Sequence, residues 1–191
     1  MPSKGEIRII AGQFRGRKIA VADQAGLRPT GDRVRETAFN WLMHDIHNAN
    51  CLDAFAGSGA MGLEALSRGA KSVTFCETNF TACKNLNKLT NTWACAEQVN
   101  ISHIDALQFL ANRPGHSFEL IFMDPPFEPN ILSKVLELIS KNNWLAPEGK
   151  IYLEAAEFIS AQDLAAMGFQ WLKQQRAGKV CFGLVTNLSG L

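Results

Sequence analysis

The stretch Asp53-Ala-Phe-Ala-Gly57-Ser-Gly59-Ala-Met-Gly62 joins a predicted strand, Cys51–Phe55, to a predicted helix, Ala60–Ser67. Its glycines form the pattern G-x-G-x-x-G, and the acid Glu77 follows Gly57 by twenty residues. In dinucleotide-binding proteins such a turn holds a pyrophosphate at the helix N-terminus, and the later acid binds a ribose. The stretch therefore predicts an α/β domain with a ligand at this turn, and on these features alone a dinucleotide would fit.

Strands and helices alternate from Cys51 onward, which is typical of a parallel sheet covered by helices. The other strands of this sheet are predicted at Ser72–Glu77, Gln98–His103, Phe118–Met123 and Lys150–Glu154. The other helices are predicted at Phe80–Thr92, Ala106–Asn112 and Ile131–Lys141, with a short one at Ala161–Met167. Residues 144–149 are expected to form a turn that ends the third of these helices. A final hairpin, Phe169–Gln174 and Lys179–Asn187, adds an antiparallel strand to the sheet.

Three acids at the ends of strands favour S-adenosylmethionine (AdoMet) over a dinucleotide. Asp53 lies four residues before Gly57, where a carboxylate repels a pyrophosphate but can pair with the ammonium of a methionine moiety, and no Lys or Arg lies between Asp53 and Gly62. Glu77 can then accept the ribose hydroxyls, and Asp105 the adenine amine, at the edge where open α/β sheets bind ligands. Singly, each acid can also be a helix N-cap or a turn residue, and this alternative is strongest for Asp105.

Asp124-Pro-Pro-Phe127 follows the apolar run Phe118–Met123. Proline restricts its own φ and keeps the preceding residue extended, so this loop is expected to be rigid. A fixed carboxylate beside an aromatic ring suits a flat heterocycle with an exocyclic amine. Such a ring can stack on Phe127 and donate its N–H groups to Asp124 and to a prolyl carbonyl. A strand-ending turn with an aromatic anchor would have the same sequence.

Positive charge is concentrated at the N-terminus. Residues 1–35 hold eight Lys and Arg against three acids, a net charge of +5, which leaves −4 on the remainder. This asymmetry favours a polyanionic partner, with nucleic acid first, although a solvated basic tail is the alternative. A hairpin of Glu6–Ala11 and Arg17–Val21 is predicted, and Phe14 is interleaved with cations in and beside its loop, as base stacking and phosphate contacts require.

A helix is predicted to follow the loop at 26–29. Thr30 is expected to be its N-cap, with Asp32 in the first turn. Its buried stripe is predicted to consist of Val34, Ala38, Trp41, Leu42 and Ile46. Arg33 and Arg35 lie mostly off this stripe, so we expect them either on a solvated face or in contact with the substrate.

The 191 residues suit one main domain, and 47% hydrophobic residues exclude a disordered or fibrous class. No apolar run approaches the roughly 20 residues of a membrane span, and the N-terminus lacks the apolar region of a signal peptide, so we expect a cytoplasmic protein. Five cysteines without a C-x-x-C pattern are interpreted as reduced core thiols. The four histidines complete no metal site.

Four stretches together resemble the bacterial RsmD family of 16S rRNA guanine-N2 methyltransferases. They are Ile7-Arg-Ile-Ile-Ala-Gly-Gln-Phe-Arg-Gly-Arg-Lys18, Leu27-Arg-Pro-Thr-Gly-Asp-Arg-Val-Arg-Glu36, Leu52-Asp-Ala-Phe-Ala-Gly-Ser-Gly59 with Gly62-Leu-Glu-Ala-Leu-Ser-Arg68, and Phe122-Met-Asp-Pro-Pro-Phe127. The last stretch is shared by many amino-methylating enzymes, whereas the two arginine-rich stretches are much more specific. Ala11, where glycine is frequent in the family, is a minor departure.

The resemblance implies a Rossmann-like class I AdoMet-dependent methyltransferase fold. Its sheet has seven mostly parallel strands, with a C-terminal antiparallel hairpin and a small N-terminal β-hairpin extension. We assign residues 1–26 to the RNA-contacting extension and 27–191 to the methyltransferase domain. The implied reaction is methylation of one guanine N2 amine in 16S rRNA, in an assembled or partly assembled small ribosomal subunit, by a monomer without a metal.

The predicted site has three groups of residues. The catalytic group is Asp124, Pro125, Pro126 and Phe127. The cofactor-binding group is Asp53, Phe55, Gly57, Ser58, Gly59, Glu77, Thr78, Asp105, Ala106 and Thr30. The RNA-binding group is Arg15, Arg17, Lys18, Arg28, Arg33 and Arg35. The competing functions are a DNA, other-RNA or protein amino-methyltransferase, a dinucleotide oxidoreductase and a non-catalytic rRNA-binding assembly factor.

Overall fold

The computed structural model describes residues 5–20, 31–126, 128 and 130–188. The strands are β1 (Glu6–Arg8), β2 (Lys18–Ala20), β3 (Asn50–Asp53), β4 (Ser72–Glu77), β5 (Val99–His103), β6 (Phe118–Met123), β7 (Leu145–Ala155), β8 (Phe169–Ala177) and β9 (Val180–Asn187). The α-helices are α1 (Asp32–Trp41), α2 (Ala60–Ser67), α3 (Phe80–Thr92), α4 (Ala106–Ala111), α5 (Ile131–Lys141) and α6 (Ala161–Ala166).

Seven of these strands form one sheet in the order β5-β4-β3-β6-β7-β9-β8. The pairs β3 with β4, β3 with β6, β4 with β5 and β6 with β7 are parallel. The last two pairs, β7 with β9 and β8 with β9, are antiparallel. This confirms the predicted fold class. From β3 the chain moves outward to β5 and then crosses back to β6, so the strand order reverses between β3 and β6, where open α/β sheets bind ligands.

The central strands are buried on both faces, which explains their nearly continuous apolar sequences. Along the central strands, successive side chains point to opposite faces of the sheet and pack into two different hydrophobic clusters. Cys51 and Phe122 belong to the cluster that includes α1 and α2, whereas Leu52 and Ile121 belong to the one that includes α4 and α5. A one-residue shift of register would exchange the two faces, so the packing fixes which edge residues face which layer.

Several boundaries differ from the sequence predictions, and two of these differences affect the architecture of the sheet. The first strand of the sheet ends at Asp53 rather than Phe55, after which Ala54 N–H still donates to the Phe122 carbonyl at 3.0 Å. The predicted turn at 144–149 is wrong, because α5 already ends at Lys141 and β7 includes residues from Leu145 onward. The β6–β7 register shifts between Phe118 and Leu120, and this irregularity accommodates residues that suit a turn.

The start of α1 also differs. Gly31 occupies the N-cap position and makes no side-chain hydrogen bond, and the predicted cap, Thr30, lies outside the described residues. The helix ends at Trp41, but Leu42 and Ile46 beyond it are buried as expected. Phe39 is buried as well and packs on Phe122 with 5.7 Å between ring centroids. This contact joins α1 to the strand that carries Asp124.

The hairpin of β1 and β2 is packed onto the α/β body. Its apolar residues Ile7, Ile9, Phe14 and Ile19 share a cluster with residues of α2. Phe14 is 5% exposed and its ring lies 5.2 Å from that of Trp93. The expectation that Phe14 stacks on a base is therefore wrong. The division at residues 26 and 27 falls outside the described residues and stays a prediction.

Candidate active site

The carboxyl ends of four adjacent strands each present one acid. We call Glu77, Asp53, Asp124 and Glu154 the acidic row. Glu77 and Asp53 end β4 and β3, Asp124 follows β6, and Glu154 is the penultimate residue of β7. Because these strands are neighbours in the order β4-β3-β6-β7, the row crosses the point where the strand order reverses. The structure thus brings the predicted Asp53, Glu77 and Asp124 to one edge.

The glycine turn between β3 and α2 is held by backbone and carboxylate contacts. Gly57 N–H donates to Glu77 Oε2 at 2.7 Å. Gly59, the N-cap of α2, has φ of 77° and ψ of 17°, a left-handed conformation that favours glycine. A Cβ on Gly62 would lie 2.6 Å from Phe75 Cζ. The glycines therefore serve a tight turn and close packing of the helix on the sheet.

Asp53 is 4% exposed, and its Oδ2 accepts a hydrogen bond of 3.0 Å from Gly62 N–H. Burial raises the pKa of this carboxyl from 3.8 to about 7; the Gly62 hydrogen bond opposes the rise, and the charges of Asp124 and Glu77 add to it. A cation beside Asp53 would stabilise its ionised form, whereas a phosphate would add repulsion. The described residues of this turn therefore fit a cationic, phosphate-free group.

The other two predicted cofactor acids occupy defined positions. Glu77 accepts from Gly57 N–H with one oxygen and from Asn79 N–H, at 2.6 Å, with the other. Asp105 is the N-cap of α4, and its side chain accepts from Gln108 N–H at 3.1 Å. The capping alternative for Asp105 is thus observed. A carboxylate has about four lone-pair sites, so these bonds leave both acids able to accept from a ligand.

The remaining predicted cofactor residues surround the same edge, except Thr30, which is not among the described residues. Phe55 and Ser58 are half-buried in the glycine turn. Thr78 is exposed, and its carbonyl oxygen lies 2.8 Å from His103 Nε2. Ala106 is buried at the start of α4. Their contact with a cofactor stays a prediction.

The loop after β6 begins with a half-buried Asp124, a buried Pro125 and an exposed Pro126. Glu128 N–H donates to the Pro126 carbonyl at 2.6 Å, which closes a tight turn. The Asp124 charge raises the pKa values of Asp53 and of Tyr152, so the carboxylate lies within electrostatic range of both groups. Phe127 lies outside the described residues.

The predicted RNA-binding residues are not equivalent. Arg15 and Arg33 are exposed, whereas Arg28 lies outside the described residues. The Arg17 guanidinium carbon lies 4.9 Å from the Phe14 ring centroid, and Lys18 Nζ is 2.7 Å from Glu6 Oε2 on the surface. Both cations therefore already have partners within the protein.

Arg35 differs most from its prediction. Its side chain is 0% exposed, and its Nη2 donates to the Arg8 carbonyl at 2.8 Å and to Asp32 Oδ1 at 2.6 Å. Its Nε and Nη1 are buried without a hydrogen-bond partner. The expectation of an exposed or phosphate-contacting Arg35 is wrong, because α1 turns this residue towards the hairpin, where it joins the two elements.

The comparisons with known proteins agree on one family. A family model described as "Conserved hypothetical protein 95" matches residues 7–186. "Ribosomal RNA small subunit methyltransferase D" of Haemophilus influenzae is 46% identical over 189 residues, which cover 97% of this chain and 96% of that protein. Its namesake in Escherichia coli is 43% identical over 180 residues, covering 94% and 89%. The chain belongs to the RsmD family.

Solved structures show the same fold. An Escherichia coli protein described as a methyltransferase has a TM-score of 0.83 at 42% identity, covering 96% of this chain and 98% of its own. A Haemophilus influenzae protein described as a methylase has a TM-score of 0.81 at 40% identity, covering 97% and 100%. Together with the family, these structures make this RsmD-family protein a methyltransferase of Rossmann-like fold.

Sequence reasoning missed two buried acids in this RsmD-family chain. Glu64 is 0% exposed; it accepts from Ile10 N–H at 2.7 Å, from Ala11 N–H at 3.1 Å and from Arg68 Nε at 2.7 Å. Glu64 thus joins the loop of the β1–β2 hairpin to α2 through hydrogen bonds. Glu154 is 3% exposed and accepts from Tyr152 Oη at 2.7 Å. An acid inside an apolar helix or strand was the available signal for both.

Among the described residues, no group of three or more His, Cys, Asp or Glu side chains is placed to hold a metal ion. None of the described helices is both long and apolar enough to cross a membrane. All five cysteines are buried and unpaired, and burial raises the pKa of the Cys76 thiol to about 12. Burial also raises the pKa of the Cys51, Cys83 and Cys95 thiols, so these three and Cys76 stay protonated at neutral pH and are unsuited to nucleophilic chemistry.

Proposed function

We propose that the protein transfers a methyl group from AdoMet to the exocyclic N2 amine of a guanine in 16S rRNA. The observation that carries this proposal is the position of Asp53 and Asp124 on the neighbouring strands β3 and β6, on either side of the point where the strand order reverses. A group held at Asp53 and a base held at Asp124 would meet in one crevice. The relatives named ribosomal RNA small subunit methyltransferase D support rRNA as the substrate.

The described residues fit AdoMet better than a dinucleotide. The buried Asp53, whose pKa is raised to about 7, suits the ammonium group of the methionine moiety. Glu77, held by two backbone N–H groups, suits the ribose hydroxyls, and Asp105 suits the adenine amine. When bound, AdoMet supplies an electrophilic methyl group on sulfur. A pyrophosphate in the same place would face the charges of the acidic row.

Asp124 and the Pro125 carbonyl would accept hydrogen bonds from the two N–H groups of the guanine amine. This amine is a poor nucleophile, because its lone pair is delocalised into the ring. Two fixed acceptors favour a more pyramidal nitrogen and direct its lone pair at the methyl carbon. Asp124 also offers a route for the proton that N2 loses once the new N–C bond has formed. Positioning of this kind supplies much of the rate enhancement in such reactions.

Phe127 would stack on the guanine ring, an interaction worth about 1–3 kcal/mol per base. The base must leave its stack to reach the crevice, which RNA loops permit at small cost. Arg15 and Arg33, both exposed, would contact phosphates of the rRNA. We further propose that the substrate is an assembled or partly assembled small subunit, and that the enzyme acts as a monomer.

The test is methyl transfer to small ribosomal subunits isolated from cells that lack this protein. Purified enzyme and labelled AdoMet should yield N2-methylguanosine at one position of 16S rRNA, located by mass spectrometry of nuclease fragments. Asp124→Ala should reduce kcat at saturating subunits and AdoMet by about 10²-fold or more. Glu128→Ala, an exposed acid of the same loop, is the matched control and should keep wild-type kcat.

Each competing function predicts a different experimental result. Methylation of DNA, protein or another RNA in place of the subunit would overturn the rRNA assignment. Subunit binding without methyl incorporation would indicate an assembly factor. Tight NAD binding and weak AdoMet binding in calorimetry would contradict the role given to Asp53. A near-normal kcat of the Asp124→Ala variant would contradict the proposal that Asp124 accepts hydrogen bonds from the amine.

A further inference from the structure

A second concentration of positive charge lies near the C-terminus. Residues 164–191 hold three Lys and Arg and no acid, a net charge of +3, whereas residues 36–163 hold eight Lys and Arg against fifteen acids, a net charge of −7. The three cations are Lys173, Arg176 and Lys179, on β8 and in the turn that follows it, and all three are exposed. Within the described part of the chain, none of them forms an ion pair. The reaction proposed above uses none of these cations.

The turn between β8 and β9 lies at the same edge of the sheet as the acidic row. Ala155, the last residue of β7, is opposite Cys181 of β9, and Cys181 is opposite Arg176 of β8. Arg176 is therefore level with the carboxyl end of β7, and Lys179, in the turn after β8, lies beyond it. In the order β6-β7-β9-β8, three strand spacings of roughly 4.8 Å place Arg176 about 14 Å from the strand that leads to Asp124.

Two aromatic rings support Arg176. Its guanidinium carbon lies 5.8 Å from the centroid of the Phe158 ring, and that ring packs edge-on against Trp171 with 6.0 Å between centroids. Trp171 Nε1 donates to the Ile159 carbonyl at 3.1 Å, which fixes the indole. Phe158 is 36% exposed, so part of its ring is open to a ligand. An accessible aromatic ring beside exposed cations is the combination with which proteins bind single-stranded RNA.

Protection of a sheet edge explains only part of this arrangement. β8 is the last strand in the sheet order, and Lys or Arg on an edge strand hinders pairing with another chain. That role requires neither a ring beneath Arg176 nor a cation at Lys179, which lies in the turn and belongs to neither strand. A ligand with negative charge accounts for both features.

The distribution of charge along this edge suits an RNA chain that crosses the acidic row. The acids of the row repel phosphates, so the backbone on either side of the target base needs cations outside the row. On one side, the hairpin of β1 and β2, with the exposed Arg15 in its loop, packs with α2, which contacts β3 and β4. On the other side of β6 lies β8 with its turn. The two cationic regions therefore flank the strand that carries Asp124.

We propose that Arg176 and Lys179 bind phosphates of the 16S rRNA on the β8 side of the target guanine, and that a base of the same segment contacts the exposed part of Phe158. This second RNA-binding surface and the N-terminal hairpin hold the rRNA on both sides of the acidic row. The target base is thereby presented to Asp124 between two anchored segments. The inference rests on the proposed function for the identity of the RNA, but it concerns binding and not methyl transfer.

The test measures the affinity of the protein for small subunits, isolated from cells that lack it, between about 50 and 200 mM salt. Arg176→Gln/Lys179→Gln should lower the affinity roughly tenfold or more at about 0.1 M salt. It should also reduce the slope of log K against log salt by about 1–2, because each lost phosphate contact removes about 0.7–0.9. Phe158→Leu removes no charge, so it should lower the affinity about fivefold or more and keep the wild-type slope.

The matched control is Arg113→Gln/Lys141→Gln. It removes the same two kinds of charge at exposed positions. These positions precede β6 and β7, so they lie at the opposite edge of the sheet. The control should keep the wild-type affinity and slope. In addition, ultraviolet cross-linking of the wild-type complex and mass spectrometry should join peptides that contain Phe158 or Lys179 to nucleotides of 16S rRNA.

The outcomes separate this inference from the function on which it rests. Subunit binding without methyl transfer by the wild-type protein would contradict the proposed function, and the binding comparison would still test the surface. Equal affinity and slope in Arg176→Gln/Lys179→Gln and its control would refute the surface alone. Cross-links to a ribosomal protein in place of rRNA would show that the surface binds protein. Self-association of the double variant with an unchanged salt slope would mean that the cations only protect the edge of β8.

Discussion

Gly62 N–H donates to Asp53 Oδ2 at 3.0 Å, so the first turn of α2 is bonded to the carboxylate that ends β3. This bond places a buried acid where the positive end of a helix partly stabilises its charge. The stabilisation is incomplete, since the pKa of Asp53 is still raised to about 7 by burial and by the neighbouring charges of Asp124 and Glu77. A cation bound next to Asp53 would therefore stabilise the ionised carboxylate further.

AdoMet binding should depend on pH through this group. A cationic ammonium favours the ionised carboxylate, so its affinity should rise by roughly fivefold between pH 6 and pH 7, as Asp53 ionises. Asp53→Asn should weaken binding and remove this pH dependence. Calorimetric titration with AdoMet at each pH is the measurement, with NAD as the control ligand. A flat profile for the wild-type protein would contradict the pairing.

In the ligand-free protein, the contribution of Asp53 to the free energy of unfolding should decrease as pH rises, whereas the affinity for AdoMet increases. The folded-state pKa of Asp53 lies above its ordinary value of 3.8, so the folded state holds this proton more tightly than the unfolded chain. The Asp53 contribution to the free energy of unfolding is therefore fully present below about pH 4 and is lost as pH rises to about 7, by up to about 1.4 kcal/mol per pKa unit. Urea unfolding of the wild type and Asp53→Asn should converge at acidic pH, and the variant should be the more stable at pH 8.

Substitutions of two arginines of α1 should have different effects, one on binding to small subunits and the other on stability. Arg33→Ala, at an exposed position, should weaken binding to small subunits and reduce the slope of log K against log salt by about 1, without loss of stability. Arg35→Lys should lower the free energy of unfolding by about 1–3 kcal/mol, because the shorter lysine side chain has no nitrogen at the position of Arg35 Nη2, which donates to both the Arg8 carbonyl and Asp32 Oδ1. An Arg35→Lys protein of wild-type stability with a reduced salt slope would restore Arg35 as an RNA contact.

Glu64 should be essential for docking of the hairpin. Glu64→Ala leaves the N–H groups of Ile10 and Ala11 and the Arg68 guanidinium without their acceptor. We expect a loss of about 3–5 kcal/mol in the free energy of unfolding and faster amide hydrogen exchange at residues 10–14. Glu137→Ala, an exposed acid within α5, is the control and should stay within about 0.5 kcal/mol. Equal stability of the two variants would show that the loop is held by other contacts.

Gly12 and Gly16 of the loop between β1 and β2 have similar backbone conformations but different surroundings, so their substitutions can be compared directly. Gly12 and Gly16 have φ of 81° and 82°, so alanine is strained at either position. A Cβ at Gly12 would overlap the backbone carbonyl of Ser67, whereas a Cβ at Gly16 would meet nothing within 4 Å. Gly16→Ala should cost about 1–2 kcal/mol, and Gly12→Ala roughly 2 kcal/mol more. Thermal unfolding of both variants tests this, and equal costs would mean that α2 shifts to make room.

The sequence by itself determined most of the elements and the position of the candidate site. The bounds of α2, α3, α5, β4 and β6 agree with their predictions, because hydrophobic periodicity, capping residues and glycines act within a few residues of one another. The same local signals located the Asp53 turn and the Asp124 loop. Both acids follow apolar strands, and in parallel strands such ends meet at one edge.

Only the tertiary structure decided which polar residues are buried and what they hold. The local sequence does not specify what Phe14, Arg35, Glu64 and Glu154 contact, because their partners lie elsewhere in the chain or depend on which face of an element is covered. Glu64, for example, meets Ile10 across 54 residues. The place of Glu154 beside Asp124 depends on the β6–β7 register, which periodicity of a single strand cannot specify. Burial and register arise only when the elements pack together, and they determine which of the acids lie side by side at the edge of the sheet.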